Sequence, residues 1–179
     1  DKNPGGMVAI IGIDEITVEE VCRETGTYTS NINSSSQIVI SGNHMSLARA
    51  IDLLNARGAK RVVNLPVSGA FHSELMQPAV DGLTEMLDSL NFSDPQFPII
   101  SNVKAKPIEK GEELKEELIN QMKSCVQWSK TLDYLIDEGC NTFLEIGPGK
   151  ILTNLIKRIP GEFELINISD YESANKIKK

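Results

Sequence analysis

The chain has 179 residues, 40% hydrophobic and 24% charged, enough for one domain with a substantial core or two small ones. Its net charge of -7 and pI near 4.9 exclude the basic face expected of a nucleic-acid binder and give no support for docking on anionic membranes. No apolar run approaches the length of a transmembrane helix.

Met7 to Ile13 reads as a continuous apolar strand. Thr17 is expected to cap a short helix running to Thr25, with Glu19 and Glu20 in its first turn and Gly26 as its stop. A strand around Tyr28 to Asn33, a turn of Ser34, Ser35 and Ser36, and a strand from Gln37 to Ser41 follow. Gly42-Asn43 opens a helix over His44 to Arg57, ended by Gly58, and Lys60 to Leu65 is the next strand. The order strand-helix-strand-strand-helix-strand is the ferredoxin-like βαββαβ pattern, predicting a small subdomain over residues 6–65.

After Pro66 a loop, Val67 to His72, leads to a helix over Ser73 to Leu90. Pro98 to Asn102 reads as a short strand, Lys104 to Gly111 as a polar loop, and Gly111 to Met122 and Trp128 to Glu138 as helices. Thr142 to Ile146 is a strand leading through Gly147-Pro148-Gly149 into a helix from Lys150 to Arg158; Phe163 to Ile168 is the last strand, and Asp170 starts a terminal helix. Strands alternating with helices predict a mainly parallel, helix-covered sheet over residues 66–179, with only three strands to build it.

Three separated cysteines, Cys22, Cys125 and Cys140, show no metal-ligand spacing, and an odd count suggests free thiols in a reducing, cytoplasmic setting. The chain has two histidines, so acid-base chemistry near neutral pH has few candidates. His44 opens a helix and reads as an exposed first-turn residue, whereas His72 lies in a Gly-Ala-Phe-His-Ser loop where side chains are often displayed for function. Both a structural role and a general-base role stay open for His72. Ser68 and Ser73 lie near it, but neither sits in a Gly-x-Ser-x-Gly nucleophile elbow, and the chain contains none. Gly147-Pro148-Gly149-Lys150 reads as a tight strand-to-helix turn rather than a phosphate loop, since it lacks the spacings of one. Trp128 reads as core packing.

Six segments in order resemble the malonyl-coenzyme A:acyl-carrier-protein transacylases and the related acyltransferase domains of fatty-acid and polyketide synthases. They are Gly6 to Ile13; Asn31-Ile32-Asn33-Ser34 with Gln37 to Gly42; Gly58 to Arg61; Gly69-Ala70-Phe71-His72-Ser73 with Leu75-Met76; Gln121 with Val126-Gln127-Trp128; and Glu145 to Leu152. Asp170 to Ser173 extends the likeness toward the end of the chain. The resemblance implies an α/β fold: a ferredoxin-like subdomain inserted in an α/β-hydrolase-like parallel-sheet domain, of which this chain holds the C-terminal part. It implies transfer of a malonyl group from malonyl-coenzyme A to a serine, then to the phosphopantetheine thiol of acyl carrier protein. No cofactor is implied, because the coenzyme A thioester is a substrate.

On this resemblance His72 matches the catalytic base, Gln121 the residue whose main-chain carbonyl orients it, and Phe71 a bulky neighbour that disfavours an α-methyl group on the substrate. Asn31 matches a position near the pocket mouth. Two departures stand out. Ser35 replaces the usual proline, predicting a looser turn, and neither the nucleophile elbow nor the carboxylate-binding arginine is present. The expectation is therefore a partial site, inactive until an N-terminal portion, as a separate chain or otherwise, supplies the serine. The alternative is a non-catalytic module that binds a carrier protein or another subunit, and a weaker one is a hydrolase using Ser68 or Ser73. An acidic carrier protein would need a local basic patch, for which Lys104, Lys106 and Lys150 are candidates.

Overall fold

The computed structural model describes residues 4–176 and is an α/β protein whose compact units divide between Thr131 and Leu132. The first unit begins with the expected βαββαβ order: β1 (Gly6–Ile11), α1 (Glu15–Thr25), β2 (Tyr28–Ser34), β3 (Gln37–Gly42), α2 (His44–Ala56) and β4 (Arg61–Asn64). The strands form one sheet in the order β2-β3-β1-β4, antiparallel at every junction. β1 lies inside the sheet and is buried on both faces, which is why its sequence reads as an unbroken apolar run. Val8 and Ile10 face α1 and α2 with Val18, Val21, Ile38, Ile40, Leu47 and Leu54, while Met7 and Ala9 pack with Val39 on the opposite face.

Local chemistry explains the element ends, with some corrections to the sequence reading. Asp14, not Thr17, caps α1: its carboxylate accepts from Thr17 N at 3.0 Å and Thr17 Oγ1 at 2.8 Å, so Thr17 is the donor of the motif. Asn43 caps α2 through Ser46 N, leaving His44 exposed in the first turn. At Ser35 the chain reverses through two residues, with Ser34 opposite Gln37 after a register shift between Ile32 and Ser34.

The helix expected over Ser73 to Leu90 is broken in two. Ser73 caps a single 3-10 turn (Glu74–Met76), and α3 (Gln77–Asp88) follows with Pro78 in its first turn. The strand expected at Pro98 to Asn102 shortens to β5 (Ile99–Ile100) and is not part of a parallel sheet. It pairs antiparallel with β6 (Pro107–Ile108), inside the segment read as a polar loop, because the backbone reverses through Ala105 at a φ of 51°. The unit then carries α4 (Gly111–Asn120) and the start of α5 (Trp128–Asp137).

In the second unit β7 (Thr142–Ile146), α6 (Ile151–Ile156) and β8 (Glu164–Ile168) make a parallel strand pair, and α7 (Tyr171–Lys176) follows. Phe143 and Phe163 stack edge to face at 5.7 Å. Glu145 closes the glycine turn onto α6, accepting from Leu152 N at 3.0 Å and Thr153 N at 2.8 Å as well as from the Thr153 hydroxyl. These bonds, the Thr153 hydroxyl first, hold its carboxyl below the usual carboxylate range. The turn is therefore structural: a carboxylate of the chain already occupies the helix end where a phosphate would sit.

Leu54 is fully buried between the helices and the sheet. Leu54→Ala is expected to cost about 2–5 kcal/mol, read as a lowered urea midpoint at unchanged slope.

Candidate active site

His72 stands directly after β4 and its loop, before the 3-10 turn, with a φ of 57°. A non-glycine residue in this left-handed region carries strain of about 1–3 kcal/mol, tolerated only where the surroundings fix it. They do so here on three sides. His72 N donates to Met122 O at 3.1 Å, Ser30 Oγ donates to the carbonyl of the preceding Phe71 at 3.1 Å, and Ser73 Oγ donates to Ala70 O at 2.5 Å. Ala70 is buried against Gly5, where an added Cβ would lie 2.8 Å from the Ala70 Cβ, so Gly5 leaves the loop room to seat.

The imidazole is half-buried, and its Nδ1 lies 2.5 Å from the main-chain oxygen of Gln121. A carbonyl only accepts, so Nδ1 carries the proton and Nε2 is the bare, basic nitrogen. Gln121 is the C-cap of α4, where the last carbonyls of a helix lack intrahelical partners and are free for other donors. The same helix end presents the negative pole of its dipole to the ring, in place of a buried carboxylate.

α4 is held at its start as well. Asp94 accepts from Gly111 N and Lys110 Nζ, both at 2.9 Å, and the Gly111 bond foremost holds its carboxyl below the usual range. An added Cβ at Gly111 would lie 2.1 Å from the Phe92 carbonyl oxygen, so only glycine fits there. Between α4 and α5, Val126 joins the edge of β2 as an isolated parallel bridge with Asn31: Val126 N donates to Ser30 O at 2.8 Å and Ile32 N to Val126 O at 2.9 Å.

Of the four residues singled out by sequence, His72 and Gln121 are in direct contact. Phe71 is joined to β2 through Ser30, and is 41% exposed with its ring over Gly69. Asn31 stands next to Ser30, paired with Val126. A cleft of about 310 Å³ opens at His72, lined also by Glu19, Cys22, Arg23, Thr27, Tyr28, Thr29 and Lys123; Asn31 and Phe71 are not in that lining. Arg23 and Lys123 carried no sequence signal, being two among 18 basic residues. Lys104 and Lys106 line a separate cavity with Glu113 and Glu117, so acid groups share their neighbourhood.

Three potential nucleophiles of the described residues are poorly placed to react with His72 as base. Ser73 is fully buried, and its hydroxyl is committed to Ala70 O and Leu75 N. Cys22 lines the cleft, but burial pushes its thiol above the ordinary range, and burial raises Cys125 to about 12. Among the described residues no group of three or more His, Cys, Asp or Glu is placed to hold a metal ion, and no helix is long and apolar enough to cross a membrane.

Residues 2–179 match the acyl transferase domain family. The chain belongs to that family. Among relatives of this acyl transferase chain, the malonyl CoA-acyl carrier protein transacylase of Bacillus subtilis (strain 168) is 41% identical over 174 residues, which are 94% of this chain and 55% of the relative. The enzyme of the same name from Escherichia coli (strain K12) is 40% identical over 162 residues, 88% of this chain and 52% of the relative. Solved structures agree in fold. An acyl carrier protein S-malonyltransferase from Vibrio cholerae superposes with a TM-score of 0.90 at 36% identity, covering 97% of this chain and 58% of the other. A malonyl-transacylase solved with its type II PKS acyl-carrier protein gives 0.91 at 35% identity, with the same two coverages. The acyl transferase chain thus spans about half the length of the curated relatives it matches, over their C-terminal part.

Two measurements check this description. In alkylation with iodoacetamide at pH 8, read by peptide mass, exposed Cys140 is expected to react first, with Cys22 and Cys125 spared until denaturant is added. The depressed Asp94 contributes stability that is full above its unfolded value near 3.8 and is lost as pH falls through its lower folded value. An acid titration by circular dichroism should therefore show Asp94→Asn removing part of the stability loss below about pH 4.

Proposed function

We propose that this chain is the histidine-bearing part of a malonyl-coenzyme A:acyl-carrier-protein transacylase. The observation that carries the reading is the His72 Nδ1 bond to the Gln121 carbonyl, which leaves Nε2 free to act as a general base. In the proposed reaction the serine hydroxyl, supplied by the portion the relatives have beyond this stretch, loses its proton to Nε2 as its oxygen attacks the malonyl thioester. The C–S bond breaks, and the proton passes from Nε2 to the departing coenzyme A sulfur. In the second half, Nε2 takes the proton of the carrier's phosphopantetheine thiol. That sulfur attacks the acyl-serine ester, and the serine oxygen leaves with the proton. One thioester replaces another, so neither oxidant nor cofactor is needed.

Arg23 and Lys123 line the cleft with His72 and outnumber its one acid, Glu19, which supports an anionic substrate arm there against a net charge that repels acidic partners at range. Phe71, beside the base, is proposed to disfavour an α-methyl group. Without Gly-x-Ser-x-Gly the chain forms no acyl-enzyme by itself.

The second reading is a non-catalytic module that binds a carrier protein or subunit. Intact mass before and after malonyl-coenzyme A separates the two. The transacylase reading expects no gain on this chain alone and a malonyl-sized gain on the serine-bearing portion when both are present, with less from methylmalonyl-coenzyme A. His72→Asn tolerates the left-handed backbone and is expected to slow that gain about 10³-fold or more, while Ser68→Ala leaves it intact and Ser73→Ala, which removes one of the bonds fixing the His72 loop, slows it far less than His72→Asn does. No gain in any combination supports the binding module.

A further inference from the structure

The base at His72 is only as well oriented as one carbonyl, and that carbonyl lies at the last turn of a helix, where the backbone frays. Asn102, on the loop after β5, grips the segment containing it at both ends. Its Nδ2 donates to Gln121 Oε1 at 3.0 Å, and its main-chain oxygen accepts from Gln127 N at 2.7 Å. The loop itself is fastened to the same helix one turn earlier. Glu117 accepts from Ser101 Oγ at 2.6 Å and from Val103 N at 3.1 Å, and Ser101 Oγ accepts from Lys104 N at 2.7 Å. Ser101 is 1% exposed, so the anchor is buried, whereas the Asn102 side chain is on the surface.

We propose that Asn102 is a positioning residue: its side-chain amide holds Gln121 so that the Gln121 carbonyl faces His72 Nδ1, with Glu117 anchoring the Asn102 loop. The inference rests on the reading of His72 as general base. The fold does not need this amide. The bond to Gln127 uses the Asn102 main chain and survives any substitution, and an exposed side chain leaves no cavity behind. What the amide adds is a hold on Gln121, the C-cap of α4, whose orientation is one of those on which the Nδ1 hydrogen bond depends. Nor is the contact a loose surface pair: opposite it, the same short segment is tied to β2 through Val126 and to His72 N through Met122, so Gln121 to Gln127 is clamped from two sides.

The test reads the imidazole directly. With only two histidines in the chain, long-range 1H–15N correlation resolves both rings, and exposed His44 is an internal reference. In the unsubstituted chain the neutral His72 ring is expected in the Nδ1–H form by about 10:1 or more. Asn102→Ala, and the near-isosteric Asn102→Leu that has no polar group to offer the Gln121 amide, should shift that ratio several-fold toward the mixture of an unheld ring, with His44 and the melting temperature unmoved. Gln121→Met, which removes only the side-chain partner, should do the same, and the Asn102→Ala/Gln121→Met pair should go no further than either alone. In the complete enzyme Asn102→Ala is expected to lower kcat about 10-fold at unchanged KM for malonyl-coenzyme A. An unaltered His72 ratio in folded Asn102→Ala and Asn102→Leu overturns the positioning role while leaving the general-base reading standing. Absence of a fixed tautomer in the unsubstituted chain overturns both.

Discussion

The single-residue pairing of Val126 with the edge of β2 is the contact on which the site depends. Through two backbone hydrogen bonds it brings the stretch after α4 against the small sheet, and with it Met122 and Gln121. β2 is an edge strand, so its outer N–H and C=O groups are open to a partner, and Val126 supplies one at a point of the sheet beside Ser30. Ser30 then works inward: its hydroxyl reaches the Phe71 carbonyl and the buried Ser41 hydroxyl, at 3.1 Å and 2.7 Å. Sheet edge, loop and helix end thus meet around one imidazole, each through groups that would otherwise be unsatisfied.

Magnitudes decide how such a site persists. The left-handed backbone at His72 costs about 1–3 kcal/mol, while each neutral hydrogen bond that replaces one to water returns about 0.5–1.5 kcal/mol. No single bond suffices, and the Met122, Ser30 and Ser73 contacts together offset the strain. α4 serves as a strut in this arrangement. Asp94 and the close approach of Gly111 to Phe92 fix one end, Glu117 fixes its flank, and its free carbonyl is delivered at the other end.

The sequence made the small sheet legible because its chemistry is local. Unbroken apolar runs, Gly42-Asn43 at a helix start and glycines at helix ends carry their meaning within a few residues. His72 stood out because the chain has only two histidines and one of them lies in a loop. What escaped was long-range or carried by groups every residue possesses. Gln121 acts through its main-chain carbonyl, 49 positions from His72, so no side-chain pattern announces it, and only the resemblance pointed there. Asn102 gave no signal at all. Thr17 was read as a cap where Asp14 is one, since an Asp-x-x-Thr run offers two oxygens and only geometry shows which accepts. The β5–β6 ladder was missed because two-residue strands have no periodicity, and its reversal runs through an alanine at positive φ rather than a glycine.

The distance along the chain between His72 and Gln121 bears on when the site comes into being. During synthesis at about 5–20 residues per second, the histidine leaves the ribosome seconds before the carbonyl that orients it. The βαββαβ sheet can close in that interval, because β1 to β4 are complete by Asn64. Its edge strand then waits, with Ser30 and Ile32 unpaired outward, for a segment that is still being made. The dyad is therefore among the last features of this unit to assemble, and a nascent chain halted before Gln121 would hold a formed sheet and an unoriented imidazole.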